Sequence, residues 1–218
     1  MKKVGTDHVN LDQKVYSQLK AMIVNRNFKP GSKIYQEKLA DELGISRTPL
    51  VNALKKLEQE HLIIAVPRRG FYARYFSKEE MINIFELREV LEGLAARRAA
   101  IRISENQILK LRNFFKDFKT FEGDGILEKY AKEDRRFHNY LIKIGGDDLL
   151  SSILETYSVI TFSYLVGFRG GLVRPPRETI REHLSIIEAI AKKNPEMAES
   201  AIRLHFKNSR EKLTQESA

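Results

Sequence analysis

Four side chains in the second half of the sequence have the types and the spacing of a metal site. Asp134 and His138 are four residues apart, so in a helix both side chains point the same way. His183 and His205 each lie 11 residues from Asn194, on opposite sides of it. A helical hairpin that turns at Asn194 would place these two imidazoles level, about 16 Å from the turn. If a third helix brings Asp134 and His138 to that height, the set suits zinc, nickel, manganese or iron(II).

Ordinary core positions are the alternative for the same residues. All three histidines have apolar neighbours at helical spacing, namely Ala131, Leu141, Ile142, Ile180, Ile187, Ala201 and Ile202. A buried histidine is usually satisfied by hydrogen bonds within the core. Asp134 could pair with His138, or with Arg135 and Arg136. The spacing alone leaves both interpretations open.

The elements that must position these side chains are helices. Two capping boxes, Ser77 with Glu80 and Ser104 with Gln107, mark helix starts. Periodicity predicts a bundle of about six helices, over 79–103, 104–121, 126–144, 149–166, 176–192 and 195–214, with breaks at Gly145-Gly146, Gly170-Gly171 and 193–195. The first of these helices is apolar over a wide enough arc to be buried on more than one side.

Residues 34–62 predict two short helices joined by a tight turn. Gly44 ends the first helix, Ser46 or Thr48 supplies an N-cap oxygen, and Pro49 suits the first turn of the second. One face of the second helix is apolar, and the other carries Arg47, Asn52, Lys55, Lys56 and Gln59. This pattern is typical of a helix-turn-helix that presents donors and positive charge to a DNA groove. An ordinary helical hairpin is the alternative.

A predicted β-hairpin follows directly. The runs Ile63–Val66 and Phe71–Arg74 flank a turn with two arginines and Gly70, which lets the backbone approach a phosphate or the minor groove. Together with a packing helix over 11–25, this order predicts a winged helix. The predicted DNA contacts are Ser46, Arg47, Thr48, Asn52, Lys55, Arg68, Arg69 and Gly70.

Charge is concentrated in the first third of the 218-residue chain. Residues 1–74 hold 14 Lys or Arg against 7 Asp or Glu, whereas residues 75–218 hold 24 against 22. RNA or an anionic membrane surface could explain basic character, but the helix-plus-wing order favours duplex DNA. We therefore expect a DNA-binding domain at 1–74, a linker at 75–77 and an all-α domain at 78–218. The absence of cysteine excludes disulfides, and the lack of a long apolar run predicts a cytoplasmic protein.

The first domain resembles the winged-helix region of GntR-type bacterial transcription regulators. The resemblance rests on Pro30-Gly31, Leu39-Ala40, Leu43-Gly44-Ile45-Ser46-Arg47-Thr48-Pro49 and Ala53-Leu54-x-x-Leu57-Glu58. It implies binding to double-stranded operator DNA. Two positions depart from the family, since Val51-Asn52 stands where Arg-Glu is usual and His61 stands where Gly is usual. Because that arginine normally contacts DNA, the operator sequence does not carry over.

The second domain resembles the FCD ligand-binding domain of the FadR subfamily. The matching motifs are Glu86-Leu87-Arg88-x-x-Leu91-Glu92, Asp134-x-x-Phe137-His138, Glu182-His183-x-x-Ile186 and the late His205. The resemblance implies a divalent metal (zinc, nickel or manganese) on Asp134, His138, His183 and His205. It also implies a small carboxylate effector that Arg88 contacts, a homodimer, and repression more often than activation. By its position alone, Arg88 could equally form a surface ion pair with Glu92, four residues later.

Two other functions compete with a ligand-responsive regulator. A metal-dependent enzyme acting on a small organic acid would use the same Asp and His residues. The sequence lacks a metalloprotease helix motif, a P-loop and a dinucleotide fingerprint, and an enzyme would not explain the basic winged helix. An architectural DNA-binding dimer without an effector is the other competitor.

Overall fold

The computed structural model describes residues 6–25, 27–118, 120–169 and 172–215. It divides the chain into two compact units, Met1–Phe76 and Ser77–Ala218. The described residues form nine helices and one small sheet, which confirms the predicted combination of a winged helix-turn-helix and an all-α bundle. The break predicted at Gly170-Gly171 lies outside the described residues. None of the described helices is long and apolar enough to cross a membrane.

The first unit contains three helices and three short strands. In chain order these are α1 Thr6–Val24, β1 Lys33–Ile34, α2 Gln36–Leu43, α3 Arg47–Gln59, β2 Ile63–Val66 and β3 Gly70–Ala73. Gly44 ends α2 in the left-handed conformation, with φ of 63°, as predicted. The predicted side-chain cap of α3 is wrong, because Ser46 occupies the N-cap position without a side-chain hydrogen bond and Thr48 already lies within the helix.

The wing forms as the sequence predicts, with one addition. Strands β2 and β3 pair antiparallel around a three-residue turn, so that Ile63 faces Ala73 and Val66 faces Gly70. Strand β1 adds to the other edge of β3. Its two residues are too few to show an alternating pattern in the sequence, which is why this strand was not predicted.

Helix α1 packs against α3 through an apolar contact and a polar contact. Leu19 of α1 and Leu50, Leu54 and Leu57 of α3 are fully buried. At the end of α3, the hydroxyl of Tyr16 donates to Glu60 at 2.5 Å, and Lys20 lies 3.1 Å from the same carboxylate. Burial and the hydrogen bond to Glu60 raise the pKa of Tyr16 to about 12.

Six helices make up the described part of the second unit. They are α4 Lys78–Arg102, α5 Glu105–Leu111, α6 Ile126–Gly145, α7 Asp148–Arg169, α8 Pro176–Ala191 and α9 Pro195–Gln215. Both predicted capping boxes are present, at the starts of α4 and α5. Lys78 contacts the last turn of α9 at Thr214, and Arg97 contacts its first turn at Glu196, so α4 and α9 run antiparallel.

Helix α5 is shorter than predicted. The expected helix over 104–121 ends at Leu111 and continues as turns through residue 117. Phe114 and Phe115 are both buried, and Phe115 adopts a left-handed backbone, with φ of 62°. A continuous helix would not turn both adjacent rings into the core. The bend instead stacks Phe115 against His183, with ring centroids 4.6 Å apart.

Helix α4 packs closely against α6 on one side and leaves part of its apolar arc exposed on another. A Cβ atom at Gly145 of α6 would lie 1.8 Å from the carbonyl oxygen of Ala95, so glycine permits the close approach of α6 to α4. The prediction that α4 is buried on more than one side holds in part, because α4 packs against α6, α7, α8 and α9, but three residues of its apolar arc are exposed. They are Leu87, Val90 and Leu94, at 45%, 49% and 37%.

Candidate metal centre and DNA-binding surface

Three helices bring the four predicted side chains together in the interior of the bundle. Helix α6 supplies Asp134 and His138, α8 supplies His183 and α9 supplies His205. One ligand atom from each residue lies within 4.8 Å of the others. Bonds of about 2.0–2.2 Å from one metal ion place its ligand atoms roughly 3–4 Å apart, so these four residues could share one ion after a small inward movement of their side chains.

Each of the three histidines is held in place by a hydrogen bond at Nδ1. Nδ1 of every ring has a hydrogen-bond partner, and the distances are 2.6 Å from His138 to Glu92, 2.8 Å from His205 to Glu182 and 3.0 Å from His183 to the hydroxyl of Tyr130. A carboxylate accepts from Nδ1–H and so leaves the Nε2 lone pair for a metal.

Both carboxylates that orient histidines are themselves held by buried arginines. Arg88 donates from Nε to Glu92 at 2.8 Å, and Arg174 donates from Nη1 to Glu182 at 2.9 Å. Burial alone would raise the pKa of Glu92, but the charges of Arg88 and His138 lower it to about 2. For Glu182, burial is likewise outweighed by hydrogen bonds from His205, Arg174 and Asn208, and its pKa is about 2. Each pair is therefore a carboxylate and a guanidinium whose charges cancel.

The third histidine is oriented by hydroxyl groups instead of a carboxylate. Tyr130 bonds to both His183 and Thr179, and Thr179 donates to the carbonyl oxygen of Pro176. If Thr179 donates to that carbonyl, Tyr130 can donate to Thr179 and accept from Nδ1–H of His183, the tautomer that leaves Nε2 free for a metal. Nε2 of His183 is buried, has no hydrogen-bond partner among the described residues and lies 3.2 Å from Oδ1 of Asp134. Two acceptors that face each other at this distance are what a cation between them would satisfy.

Protonation states at the centre also suit a cation. Burial lowers the pKa of His205 to about 3 and also lowers the pKa of His183, so both rings are neutral at pH 7. Burial works against the charged form of Asp134, but its polar contact with His183 outweighs burial and holds the pKa of its carboxyl below its usual value. Neutral imidazoles and an ionised carboxylate are the forms that bind metals.

A cavity of about 50 Å³ opens beside the centre. Its lining includes Asp134, His138 and His205 together with Arg88 and Arg174. One water-sized particle needs about 10–15 Å³ of such space, so the cavity has room for about four. Asp134 keeps 27% of its side-chain surface exposed, which makes it the most accessible of the four candidate ligands.

Arg88 forms an ion pair with Glu92 and also lines the cavity beside the centre. Arg88 does pair with Glu92, but the pair is buried, with side-chain exposures of 7% and 2%, so the predicted surface ion pair is wrong in its location. Asp134 lies against His183, while His138 pairs with Glu92 and Arg136 pairs with Glu133.

The predicted DNA contacts lie on one helix and one turn of the first unit. Helix α3 and its N-cap carry Ser46, Arg47, Thr48, Asn52 and Lys55, and all five are exposed. Arg68 and Arg69 are exposed in the turn of the wing, and Gly70 is half-buried at the start of β3. Asn52, at a position that departs from the family, donates from Nδ2 to Asp12 of α1 at 3.2 Å.

Sequence reasoning missed the residues that support the centre. These are Glu92, Tyr130, Arg174, Thr179 and Glu182, none of which was proposed for this role. Tyr130 stands one helical turn before Asp134, and Glu92 stands one turn after Arg88, so both lie on sides of helices that were already of interest. No spacing pattern in the sequence indicated Arg174, because its partners Glu182 and His205 lie 8 and 31 residues away.

Comparison with known proteins shows which family the chain belongs to. The FCD domain family matches residues 83–208, and the family of bacterial regulatory proteins named gntR matches residues 11–73. The chain belongs to the GntR family of bacterial transcription regulators and carries an FCD domain. Regulators of this family bind DNA and typically dimerise. The family and its named relatives are not enzymes, which sets the enzyme alternative aside.

Individual relatives extend over nearly the whole chain. The HTH-type transcriptional regulator YdhC of Bacillus subtilis is 29% identical over 200 residues, covering 91% of this chain and 88% of its own length. The HTH-type transcriptional repressor RspR of Escherichia coli is 27% identical over 205 residues, covering 94% and 90%. Among solved structures, Escherichia coli McbR/YncC superposes with a TM-score of 0.75 at 20% identity, covering 94% and 97%, and so shares the fold.

Proposed function

We propose that this chain is a ligand-responsive regulator whose bundle holds a divalent cation on Asp134, His138, His183 and His205 and senses a small carboxylate. The observation that carries the proposal is Nε2 of His183, which is buried, has no hydrogen-bond partner among the described residues and lies 3.2 Å from Oδ1 of Asp134. Zinc, nickel and manganese all accept such a donor set. When bound, the cation supplies an open coordination position for an anionic oxygen.

The charge balance of the centre favours an anionic effector. The Arg88–Glu92 and Arg174–Glu182 pairs each cancel, so Asp134 contributes the single uncompensated negative charge. A divalent cation on this set leaves a net charge of about +1 in a buried cavity, which an anion neutralises. We assign Arg88 to the effector as well, because it lines the cavity and its guanidinium can bind a carboxylate.

The first unit supplies the DNA contacts in this proposal. Residues 1–74 act as the DNA-binding domain, with α3 in the major groove of the operator and the wing beside it. Ser46, Arg47, Thr48, Asn52, Lys55, Arg68, Arg69 and Gly70 make the contacts. Residues 75–77 link this domain to the ligand-binding and dimerisation domain at 78–218. Repression is the proposed output, in line with the name of the relative RspR.

A homodimer is proposed because two copies are needed to read a palindromic operator. Exposed apolar residues of α4 recur at seven-residue spacing, with Leu87, Leu94 and Ile101 at 45%, 37% and 64% exposure. Acidic residues dominate the start of α4 and arginines its end. An antiparallel pair of α4 helices would therefore join opposite charges, such as Glu86 of one copy and Arg102 of the other. Leu94→Glu should convert the dimer to a monomer in light scattering, and an unchanged dimer would contradict this interface.

The proposal is tested by DNA binding with and without a small acid. The purified protein first selects its duplex from a random-sequence pool, and its affinity is then measured with zinc and each of acetate, lactate, malate and citrate. At least one acid should change DNA affinity about tenfold, which is a typical coupling between two sites. Chelated protein and Asp134→Ala should not respond. DNA affinity that is indifferent to every acid and to zinc would favour the architectural dimer instead.

A further inference from the structure

The cavity beside the metal centre is lined by three hydroxyl side chains, and two of them are already used. Thr179 bonds to Tyr130 and to the carbonyl oxygen of Pro176. Ser209 accepts from Nε of Arg174 and donates to the carbonyl oxygen of His205. The third, Thr161 on α7, is 4% exposed, and its hydroxyl has no hydrogen-bond partner within the described part of the chain.

The free hydroxyl of Thr161 is unusual for a threonine in a helix. A helical threonine commonly donates to the carbonyl oxygen four residues earlier. Thr156 and Thr214 do so in this chain, at 3.3 Å and 2.9 Å. Thr161 makes no such bond, although it is buried where water is scarce. Its hydrogen-bonding capacity is therefore available to a molecule in the cavity.

The two arginines of the cavity differ in what they can still offer. Arg174 uses Nε, Nη1 and Nη2 on Ser209, Glu182 and the carbonyl oxygen of His205, which leaves its guanidinium largely satisfied. Arg88 uses Nε and Nη2 on Glu92, and its Nη1 has no hydrogen bond to any described residue. Together with the cation, Arg88 can serve one carboxylate, and among the described residues that line the cavity there is no second free cation for another.

We propose that Thr161 is an effector-binding residue, and that the effector is a small monocarboxylic acid with a hydroxyl group. This inference rests on the proposed carboxylate function of the same cavity. A threonine hydroxyl both donates and accepts, so an alcohol satisfies it in either direction. A dicarboxylate would instead leave its second charge facing Thr161 in a buried site without a cation. Thr161 thus selects for the hydroxyl group, whereas the metal centre and Arg88 hold the carboxylate.

The test uses acids that differ by one hydroxyl group. Propanoate, lactate and 3-hydroxypropanoate are titrated calorimetrically into the zinc-loaded wild type, Thr161→Val and Thr161→Ser. Valine preserves the shape of threonine without its hydroxyl, and serine keeps the hydroxyl. Comparing wild type with Thr161→Val separates a hydrogen bond to Thr161 from chelation of the metal, because chelation by the hydroxyl remains in every variant. The two hydroxy acids place the hydroxyl at different distances from the carboxylate.

The wild type should bind one of the hydroxy acids at least about fivefold more tightly than propanoate, the worth of one ordinary hydrogen bond. Thr161→Val should lose that preference while keeping its zinc content and its affinity for propanoate, and Thr161→Ser should retain the preference. A preference that is the same in wild type and Thr161→Val, or absent from the wild type while propanoate binds, would overturn the role of Thr161 alone. If zinc is retained but none of the acids binds the wild type, the carboxylate function itself fails.

Thermal unfolding of metal-free protein provides an independent readout. Because Thr161 has no partner to lose, Thr161→Val should unfold at the wild-type temperature or above it. Thr179→Val is the matched control, since it removes the hydroxyl that holds Tyr130, and it should unfold at a lower temperature. A loss of stability in Thr161→Val equal to that in Thr179→Val would mean that the hydroxyl serves the fold, and would contradict the inference.

Discussion

The winged-helix unit and the helical bundle use the same charged residue types in opposite ways. Arg47, Lys55 and Arg68 of the first unit are exposed, where a polyanion can reach them. Arg88 and Arg174 of the bundle are 6% and 7% exposed and are committed to Glu92 and Glu182. Burial thus changes the role of an arginine, since an exposed guanidinium can attract a polyanion, whereas a buried and paired one orients its neighbours and can offer only its remaining N–H groups to a small ligand.

The largest loss of stability is expected when the buried Arg88–Glu92 pair is broken. Glu92→Ala leaves Arg88 buried without its carboxylate and releases Nδ1 of His138. Removing one partner of a buried ion pair costs about 3–5 kcal/mol. Denaturant unfolding should show this loss in Glu92→Ala. Glu196→Ala is the control, because its pair with Arg97 is on the surface, with Glu196 70% exposed, and its loss should stay below about 1 kcal/mol. Similar losses in both variants would erase the proposed difference between buried and exposed pairs.

A smaller effect is expected on the surface of the first unit. Arg47→Ala should weaken binding to the selected duplex about tenfold and reduce the slope of log affinity against log salt by about 1, as for one lost phosphate contact. Arg68→Ala should act in the same direction. Lys143→Ala, an exposed cation of the bundle, should leave affinity unchanged. Neither a weaker affinity nor a smaller slope in Arg47→Ala would mean that α3 does not dock as proposed.

The smallest effect concerns the half-buried polar cluster of Tyr16, Lys20 and Glu60 in the first unit. Tyr16→Phe removes the hydrogen bond to Glu60 and should cost about 1 kcal/mol of unfolding free energy. Because the folded pKa of Tyr16 is raised to about 12 from about 10, this contribution is complete below pH 10 and is lost as pH rises from 10 to 12. Wild type should therefore lose more stability than Tyr16→Phe over that range. Tyr75→Phe, at an exposed position, should behave like wild type.

Local signals predicted most of the fold. Gly44, the two capping boxes and the basic turn of the wing each act within a few residues, and each forms as expected. Helix α5 was predicted too long because the bend at Phe115 depends on a ring stack with His183, which is 68 residues away in sequence. No pattern near Phe115 carries that information.

The candidate metal centre was predictable in its inner residues and hidden in its support. The equal spacing of His183 and His205 about Asn194 is a property of one hairpin, so the sequence could indicate that these side chains meet. Glu92 contacts His138 across 46 residues, and Tyr130 contacts His183 across 53. Such pairings between helices of different parts of the chain leave no spacing pattern. The same holds for Thr161, whose distinguishing feature is a hydrogen bond that it does not make.

The most direct test of the central claim is the metal content of the protein. Wild type and an Asp134→Ala/His183→Ala variant are exposed to zinc, nickel and manganese, desalted and measured by elemental analysis, with circular dichroism to check that both are folded. We expect about one metal ion per wild-type chain and none in the folded variant. No metal in the wild type, or equal metal in both proteins, would contradict a cation on these four residues.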